Sequence, residues 1–322
     1  MFKVILFSLF FSFSLMANEK SITSWENWKE NFINDIEKKG KYKKKTIGHL
    51  YNISFNPRVV ELDKNQPEFT LSFNEYYNKV VTDAVVKKGK KKKKINREIL
   101  SKISNKYKVD KDIITALWGI ETYYGTYLGK FDILNSLASL IYDGRRKKFF
   151  QKQFECALDI LEEEHIPRSQ FVGSWAGAFG HTQFMPTTFM NYSVDFNNDG
   201  KKNLISDNHD ALASGANYLS RLGWNIKNPW GEEFLTEDTE IIKKSDNNKD
   251  FKSLSFWKSN GFKPKKLYTN EVKLRLITVG KELEQKKKYL VTQNFDILLN
   301  WNKSNYFALA VGMLSDKIKN HE

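Results

Sequence analysis

The segment from Asp110 to Gly125 constrains the fold of this chain most strongly, because its apolar residues recur with the period of an α-helix. Ile114, Leu117 and Glu121 stand at positions i, i+3 and i+7 and therefore share one helix face. Asp110 is a suitable N-cap, and Gly125 is a typical signal for the end of a helix. The pattern predicts a buried helix whose apolar stripe ends on a single carboxyl group.

Helical periodicity dominates most of the remaining chain, and the aromatic content of 14% is too high for a disordered protein. Only near the C-terminus do apolar and polar residues alternate, at Val272, Leu274 and Leu276, which predicts a strand. Gly89 and the lysine run 90–94 are expected to separate two helices. We expect a mainly α (α+β) fold, with a helical core, additional N- and C-terminal helices and a small β insert. Helices are predicted over residues 22–36, 73–88, 95–107, 110–125, 133–142, 149–163, 187–192, 210–222 and 306–319.

Glu121 is the first candidate for chemistry. A carboxylic acid at the end of an apolar stripe is partly desolvated, which raises its pKa and keeps its proton available at neutral pH. Trp118 and Tyr123 beside it, with Gly119 and Gly125, would let a ligand approach closely. This setting suits protonation of a glycosidic oxygen; the alternative is a half-exposed helix residue without a catalytic role.

A second candidate site is the glycine-rich segment Gly173–Pro186. Its backbone and the amide of Gln183 could hydrogen-bond sugar hydroxyls or an acetamido group, while Trp175 offers apolar contact. A tightly packed turn between helices is the alternative. His181 in this segment is interpreted as part of a groove wall or a polar surface residue rather than as a base.

The stretch that starts at Asp195 resembles the first nine positions of a calcium-binding loop. Asp195, Asn197 and Asp199 stand at positions 1, 3 and 5, and a glycine stands at position 6. Lys201 would contribute at position 7, whereas position 12 is a serine, so Asp210 is the candidate for the missing carboxylate. The pattern predicts a weak structural calcium site, with a plain Asn-Gly-type turn as the alternative.

The N-terminus has the pattern of an export signal: Lys3, an apolar run over residues 4–16, and Ala17 before polar residues. The run is too short to span a bilayer, which takes roughly 20 residues in a helix. The net charge of +14, from 52 basic and 38 acidic residues, would attract a polyanion. Because an exported protein does not meet nucleic acid, an anionic cell-wall polymer is the expected partner. The only cysteine, Cys156, has no internal partner for a disulfide and is predicted to be a small core residue.

These motifs, taken in chain order, resemble the membrane-bound lytic murein transglycosylase B family. The resemblance runs from about Asp63 to Val311 and is carried by residues 118–122, 142–146, 173–186, 195–203, 216–219 and 302–304. It implies a lysozyme-like core that cleaves the MurNAc-GlcNAc bond of peptidoglycan without water and leaves a 1,6-anhydro-muramic end. No cofactor is implied for catalysis, apart from the structural calcium.

Carried over position by position, the resemblance makes Glu121 the sole catalytic acid/base. It also implies a set of sugar-binding residues: Tyr76, Phe149, Ser174, Gln183, Phe184, Met185, Tyr218, Trp301, Asn302 and Phe307. Phe149, Trp301 and Phe307 depart from the family pattern, because tyrosine is usual at those positions. The departure affects contacts with individual sugars rather than the reaction.

The resemblance also suggests how the chain is divided. We expect a signal peptide (1–17), an N-terminal helical region (18–109), a lysozyme-like catalytic core with the calcium-type loop (110–225), a small mixed or β insert (226–298) and a C-terminal helix that packs back on the helical region (299–322). After removal of the signal, the protein is expected to be a periplasmic monomer of a Gram-negative bacterium, with no stable membrane anchor. Its partners would be peptidoglycan glycan strands and not nucleic acid.

Other classes of function remain open from the sequence alone. A hydrolytic lysozyme-like muramidase would use similar residues, but its product would contain one more water. A non-catalytic peptidoglycan-binding protein would keep the aromatic residues and the positive charge but would not need Glu121. A nucleic-acid-binding protein would account only for the lysines, and its binding would depend strongly on salt.

Overall fold

The structure is a computed structural model and describes residues 24–65, 71–235, 250–280 and 286–319. The predicted signal peptide therefore lies outside the described residues. The helices are α1 (24–37), α2 (Lys44–Gly48), α3 (Pro57–Lys64), α4 (Phe73–Val80), α5 (Asp83–Ile95), α6 (Arg97–Tyr107), α7 (Lys111–Thr122), α8 (Ile133–Asp143), α9 (Lys147–Glu162), α10 (Pro186–Tyr192), α11 (Asn208–Arg221), α12 (Leu254–Ser259), α13 (Gln293–Trp301) and α14 (Asn305–Ile318). The strands are β1 (Phe131–Asp132), β2 (Val172–Gly173), β3 (Gly231–Glu233), β4 (Lys252–Ser253), β5 (Lys273–Val279) and β6 (Lys287–Val291).

The chain forms two compact units, each assembled from separate stretches of sequence. The first unit contains the described residues 24–65, 129–178 and 185–190, and the second contains 71–128, 179–184 and the described residues from 191 onward. The predominance of helices confirms the predicted mainly α fold class. In the part of the chain that the structure describes, no helix is long and apolar enough to cross a membrane.

The first unit is built on the pair α8 and α9, with α2 and α3 packed beside them. The N-terminal helix α1 carries Trp25 and Trp28, whose rings pack on Tyr142 of α8 at 5.3 and 5.4 Å. Cys156 of α9 is buried and its thiol is free, as the sequence predicted. Asp63 is 1% exposed and accepts a hydrogen bond of 2.7 Å from Arg145 Nε, so the end of α3 is tied to the turn after α8.

The second unit has α7 at its centre, in contact with α5, α6, α11 and α14. The segment from Ile113 to Gly119 is buried throughout, and all of its residues except Thr115 are apolar. An antiparallel sheet in the order β3-β6-β5-β4 is formed where strand alternation predicted a β insert. A separate apolar cluster under this sheet, around Trp257 and Leu274, gives the insert its own core.

The lysine run is helical, contrary to the prediction that it would separate two helices. It lies inside α5, which starts after Thr82 and ends at Asn96. Lysine has a good intrinsic helix propensity, and Thr82 caps the helix by accepting a hydrogen bond from Val85 N–H. Gly89 therefore has a packing role: a Cβ there would lie 2.3 Å from the hydroxyl of Tyr124.

Asp110 occupies the N-cap position of α7, as predicted, but its side chain makes no capping hydrogen bond. Instead, Asp110 Oδ2 accepts a hydrogen bond of 3.0 Å from Trp224 Nε1. Burial is the largest influence on this carboxyl and raises its pKa. The residue therefore anchors the start of α7 to a tryptophan rather than to the backbone of the helix.

Candidate functional site

Glu121 lies in the last turn of α7, where the apolar stripe of Ile114 and Leu117 ends. Its side chain is half-buried. The helix stops directly afterwards because Tyr123 and Tyr124 adopt left-handed backbone conformations, with φ of 50° and 60°. Both tyrosine N–H groups donate back to carbonyls of the last turn, which fixes the position of this helix end.

An indole N–H reaches the carboxyl group of Glu121. Trp301, the last residue of α13, donates a hydrogen bond of 2.7 Å from Nε1 to Glu121 Oε1. The Trp301 ring packs against Phe184 and Tyr218, with centroid distances of 5.4 and 5.1 Å. Three predicted sugar-binding aromatic residues are thus gathered around the candidate acid within the second unit.

Gln183 is held by its amide nitrogen. Nε2 donates to the carbonyl oxygens of Leu128 (3.2 Å) and Gly180 (2.9 Å), so both of its hydrogens are used. The backbone of Gln183 is left-handed (φ 48°) and lies in a tight turn that is closed by a bridge between Phe179 and Phe184. Because the donors are used, the side-chain carbonyl is the atom of Gln183 that suits a sugar hydroxyl or an acetamido N–H.

His181 is half-buried and hydrogen-bonded to α7, and its interpretation as a groove-wall or polar surface residue stays a prediction. Its Nδ1 accepts a hydrogen bond of 3.0 Å from Trp118 Nε1, and its carbonyl accepts one from the Thr122 hydroxyl. Burial, assisted by the charge of Lys92, lowers the pKa of His181 to about 4. Gly125 has a φ of +78°, and a Cβ there would lie 2.2 Å from the imidazole. His181 is therefore uncharged at neutral pH, and it accepts hydrogen bonds from Trp118 and Thr122 of α7.

Ser174, Phe149 and Met185 belong to the first unit. Ser174 closes a small loop: its N–H donates to the carbonyl of Ala178 (2.7 Å), and its hydroxyl oxygen accepts from Ala178 N–H (3.0 Å). Phe149 is 46% exposed on α9, as a ligand-binding aromatic residue would be, whereas Met185 is half-buried just before α10. Their predicted roles in sugar binding stay predictions.

The remaining predicted sugar-binding residues belong to the second unit. Tyr218 donates from its hydroxyl to the carbonyl of Asn300 (2.9 Å), and burial raises its pKa to about 12, so it stays protonated. Asn302 is exposed, and its side chain accepts from a backbone N–H in the turn before α14. Tyr76 is half-buried, with its ring 6.0 Å from that of Tyr306. Phe307 is only 4% exposed and belongs to the hydrophobic core, so it supports the unit from inside.

The calcium-type loop is organised by its own side chains. Asp195 accepts hydrogen bonds from the N–H groups of Asp199 (3.2 Å) and Gly200 (2.8 Å), and Asp199 accepts from Lys201 N–H (2.8 Å). The amide oxygen of Asn197 accepts from Asp199 N–H (2.9 Å). The oxygens at positions 1, 3 and 5 are thus turned toward one stretch of backbone.

Asp210, the candidate for the missing ligand, is fully buried in α11. Its Oδ1 accepts from Phe196 N–H (2.7 Å) and its Oδ2 from Asn203 N–H (2.9 Å), so both oxygens brace the loop. Across the described residues, no group of three or more His, Cys, Asp or Glu side chains is arranged to hold a metal ion. The donor set fits calcium only in part, and calcium binding stays a prediction.

The contact between Trp301 and Glu121 was not foreseen from the sequence. Trp301 was placed among the sugar-binding residues, and the two residues are 180 positions apart. Neither helical periodicity nor local motif spacing carries information over such a separation. The replacement of the usual tyrosine at this position was the one visible signal.

Comparison with known proteins places this arrangement in a family. Residues 24–316 match the family described as "Transglycosylase SLT domain". Membrane-bound lytic murein transglycosylase B of Escherichia coli (strain K12) is 40% identical over 119 residues, which are 37% of this chain and 33% of that protein. The match therefore spans about a third of the length of this curated relative.

Solved structures resemble the chain over most of its length. SltB3 from Pseudomonas aeruginosa, in complex with NAG-NAM-pentapeptide, superposes with a TM-score of 0.85 and 34% identity, covering 92% of this chain and 80% of that chain. The Escherichia coli lytic transglycosylase Slt35, in complex with calcium, gives a TM-score of 0.77 and 26% identity, covering 90% and 92%. The mainly helical fold predicted from the sequence is the fold of these proteins. Because the family match covers nearly all described residues, the chain belongs to the family of proteins with a transglycosylase SLT domain.

Proposed function

We propose that this protein is a lytic transglycosylase that cleaves the β-1,4 bond between MurNAc and GlcNAc in peptidoglycan. The observation that carries the proposal is the half-buried carboxyl of Glu121, which accepts a hydrogen bond from Trp301 Nε1 beside Phe184 and Tyr218. Support also comes from two structures of SltB3, which hold NAG-NAM-pentapeptide and NAG-anhNAM-pentapeptide.

In the first step, Glu121 acts as a general acid. Its carboxylic acid proton passes to the oxygen that joins MurNAc C1 to GlcNAc, and the C1–O bond breaks. The 2-acetamido group of MurNAc stabilises the positive charge that develops at C1. Apart from Glu121, the motifs at residues 118–122 and 173–186 contain no acidic residue, and substrate assistance is a known exception to the use of paired carboxylates.

In the second step, the same residue acts as a general base. The Glu121 carboxylate takes the proton from the C6 hydroxyl of MurNAc, and O6 bonds to C1. Glu121 returns to its acid form, so no water is consumed and the product ends in 1,6-anhydro-MurNAc. The side-chain carbonyl of Gln183 is proposed to orient the sugar, because its amide nitrogen is held by two hydrogen bonds. Ser174 is proposed as a sugar-binding residue of the first unit.

We place the reaction in the periplasm of a Gram-negative bacterium, with the protein acting as a monomer on glycan strands. The export pattern of residues 1–17 and the net charge of +14 support this placement. The matched relatives come from Escherichia coli and Pseudomonas aeruginosa.

We further propose weak calcium binding by the loop that starts at Asp195. Its oxygens at Asp195, Asn197 and Asp199 are those that calcium prefers, and the structure of Slt35 was determined in complex with calcium. Calcium at millimolar concentration is expected to raise the melting temperature of the protein, and Asp195→Asn is expected to abolish the increase. An equal increase in both proteins, or none in either, would contradict calcium binding at this loop.

Digestion of purified sacculi, followed by mass spectrometry of the muropeptides, tests the reaction. We expect products that are lighter by one water than those of a muramidase. Glu121→Gln should abolish product formation while its melting temperature stays close to that of the wild type. Glu98→Gln is the matched control, because Glu98 is an exposed residue of α6 whose carboxylate pairs with Lys102 at the surface. Hydrated products would favour the muramidase, and binding without any product would favour a wall-binding protein.

A further inference from the structure

We propose that Trp301 is a positioning residue for the acid/base group: its indole N–H fixes the Glu121 carboxyl so that Oε2 carries the exchanging proton. The proposal rests on the proposed function, in which Glu121 is the catalytic acid. It gives Trp301 a role that differs from stacking on a sugar. The donor–acceptor distance from Trp301 Nε1 to Glu121 Oε1 is 2.7 Å, which is short for an N–H···O hydrogen bond.

The chemistry of the two groups makes this contact directional. The indole N–H of Trp301 can donate but cannot accept, so Glu121 Oε1 is the acceptor in either protonation state. In a protonated carboxyl the carbonyl oxygen is the better acceptor, which leaves the acidic proton on Oε2. A donor of this kind also stabilises the carboxylate that forms after the first step.

The Trp301 ring is fixed by packing on several sides. Phe184 and Tyr218 lie against it at 5.4 and 5.1 Å, with ring planes tilted by 58° and 76°. Gly215 of α11 provides room for the outer edge of the indole: a Cβ there would lie 3.4 Å from Trp301 Cη2 and 3.3 Å from the methyl group of Thr182. The ring therefore has little freedom to rotate, which is the condition for orienting another side chain.

The backbone next to Trp301 is anchored as well. The Tyr218 hydroxyl donates to the carbonyl of Asn300 (2.9 Å), and Asn302 N–H donates to the carbonyl of Leu298 (3.1 Å). The end of α13 is thus tied both to α11 and to its own last turn. The side chain at position 301 therefore extends from an anchored backbone when it hydrogen-bonds Glu121.

A second tryptophan, Trp224, supplies a matched control at the opposite end of α7. Trp224 Nε1 donates to Asp110 Oδ2 (3.0 Å) at the start of α7, whereas Trp301 donates to a carboxylate at its end. Trp224→Phe removes a tryptophan–carboxylate hydrogen bond of the same type far from the acid. Any effect that arises merely from loss of packing or of an indole donor on α7 should appear in both variants.

The experiment measures kcat, KM and pH–rate profiles on a soluble peptidoglycan tetrasaccharide for Trp301→Phe, Trp224→Phe and wild type. A further variant replaces Trp301 by benzothienylalanine, which keeps the ring shape but has sulfur in place of the N–H. It decides the question if Trp301→Phe does not fold. Both changes at position 301 are expected to lower kcat about tenfold, a part of what acid–base catalysis contributes, and to change KM less than about twofold.

The pH–rate profile distinguishes a positioning role of Trp301 from a packing role, because loss of packing alone would not shift it. Without the donor, the carboxylate is less stable, so the decline of kcat/KM on the alkaline side should move upward by about one pH unit. Trp224→Phe should leave the profile in place. An unmoved profile at position 301, or a rise in KM alone, would overturn the proposal and return Trp301 to sugar binding. If Glu121→Gln kept activity, the proposed function itself would fail, whatever the result at Trp301.

Discussion

The half-buried imidazole of His181, which is hydrogen-bonded to α7, should make the stability of the protein depend on pH. His181 accepts a hydrogen bond from Trp118 Nε1, and burial lowers its pKa from 6.5 to about 4. Above pH 6.5 the imidazole is neutral in both the folded and the unfolded protein, and its contribution to stability is complete. As the pH falls from 6.5 toward 4, only the unfolded state takes up the proton, so the free energy of unfolding decreases.

The size of this decrease in the free energy of unfolding follows from the two pKa values of His181. The interval from 6.5 to about 4, at about 1.4 kcal/mol for each pH unit, corresponds to about 3 kcal/mol for His181. About 2 kcal/mol of this is lost by pH 5. A loss of that size is a large fraction of the total stability of a typical domain.

The assay compares urea unfolding at pH 7.5 and pH 5.0 for wild type and for His181→Asn. Asparagine offers an acceptor oxygen near the position of Nδ1 but does not titrate, so the change in unfolding free energy between the two pH values should shrink by about 2 kcal/mol. Carboxyl groups that titrate in this range affect both proteins equally and cancel in the comparison. His209→Asn is the control for loss of a histidine elsewhere in the same unit. If His181→Asn kept the wild-type dependence on pH, the inference of a neutral buried imidazole would be refuted.

Three further changes test the packing inside each unit by chemical unfolding. Gly89→Ala should cost about 1–3 kcal/mol, because its Cβ would meet a buried tyrosine hydroxyl, whereas Gly48→Ala meets nothing within 4 Å and should be nearly neutral. Asp63→Asn should cost about 2 kcal/mol, because the buried side chain would accept weaker hydrogen bonds from its arginine partners. Gln153→Leu should cost about 1–2 kcal/mol, because the amide accepts hydrogen bonds from both the N–H and the hydroxyl of Thr187. A neutral result for Gly89→Ala, or an equal loss for Gly48→Ala, would contradict the close packing inferred at α5.

Sequence reasoning located those helices that carry a continuous apolar stripe. The prediction of residues 133–142 corresponds to α8 at Ile133–Asp143, and the prediction of 306–319 corresponds to α14 at Asn305–Ile318. In both segments local periodicity and burial agree, so the pattern alone was sufficient. The alternation at Leu274 and Leu276 located β5 for the same reason.

The errors arose where distant residues determine the role of a local one. Gly89 suggested a helix end, but its position in α5 is decided by Tyr124, whose hydroxyl also donates to the carbonyl of Val85 (2.9 Å). The hydrogen bond that His181 accepts from Trp118 was likewise not visible in the sequence. No periodicity within α5 or within residues 173–186 encodes these contacts.

Ser174 and Gln183 show the same limit of sequence reasoning. Ser174 and Gln183 are nine positions apart in one motif, yet they belong to different compact units. The sequence could nominate both as polar residues in a glycine-rich segment. It could not indicate that the donors of Gln183 are used by backbone carbonyls, so that its acceptor oxygen is the atom for a ligand.

The helix α7 illustrates how a buried element can carry ionisable groups at both ends. Taking a carboxyl group out of water is costly unless its oxygens keep hydrogen-bond donors. A tryptophan side chain can cover a carboxyl group with its apolar ring and also donate a hydrogen bond to it from its N–H. Trp224 serves Asp110 at the start of α7 in this way, and Trp301 serves Glu121 at its end. For the half-buried carboxyl of Glu121, the indole of Trp301 thus supplies a hydrogen-bond donor whose direction is fixed by the packing of its ring.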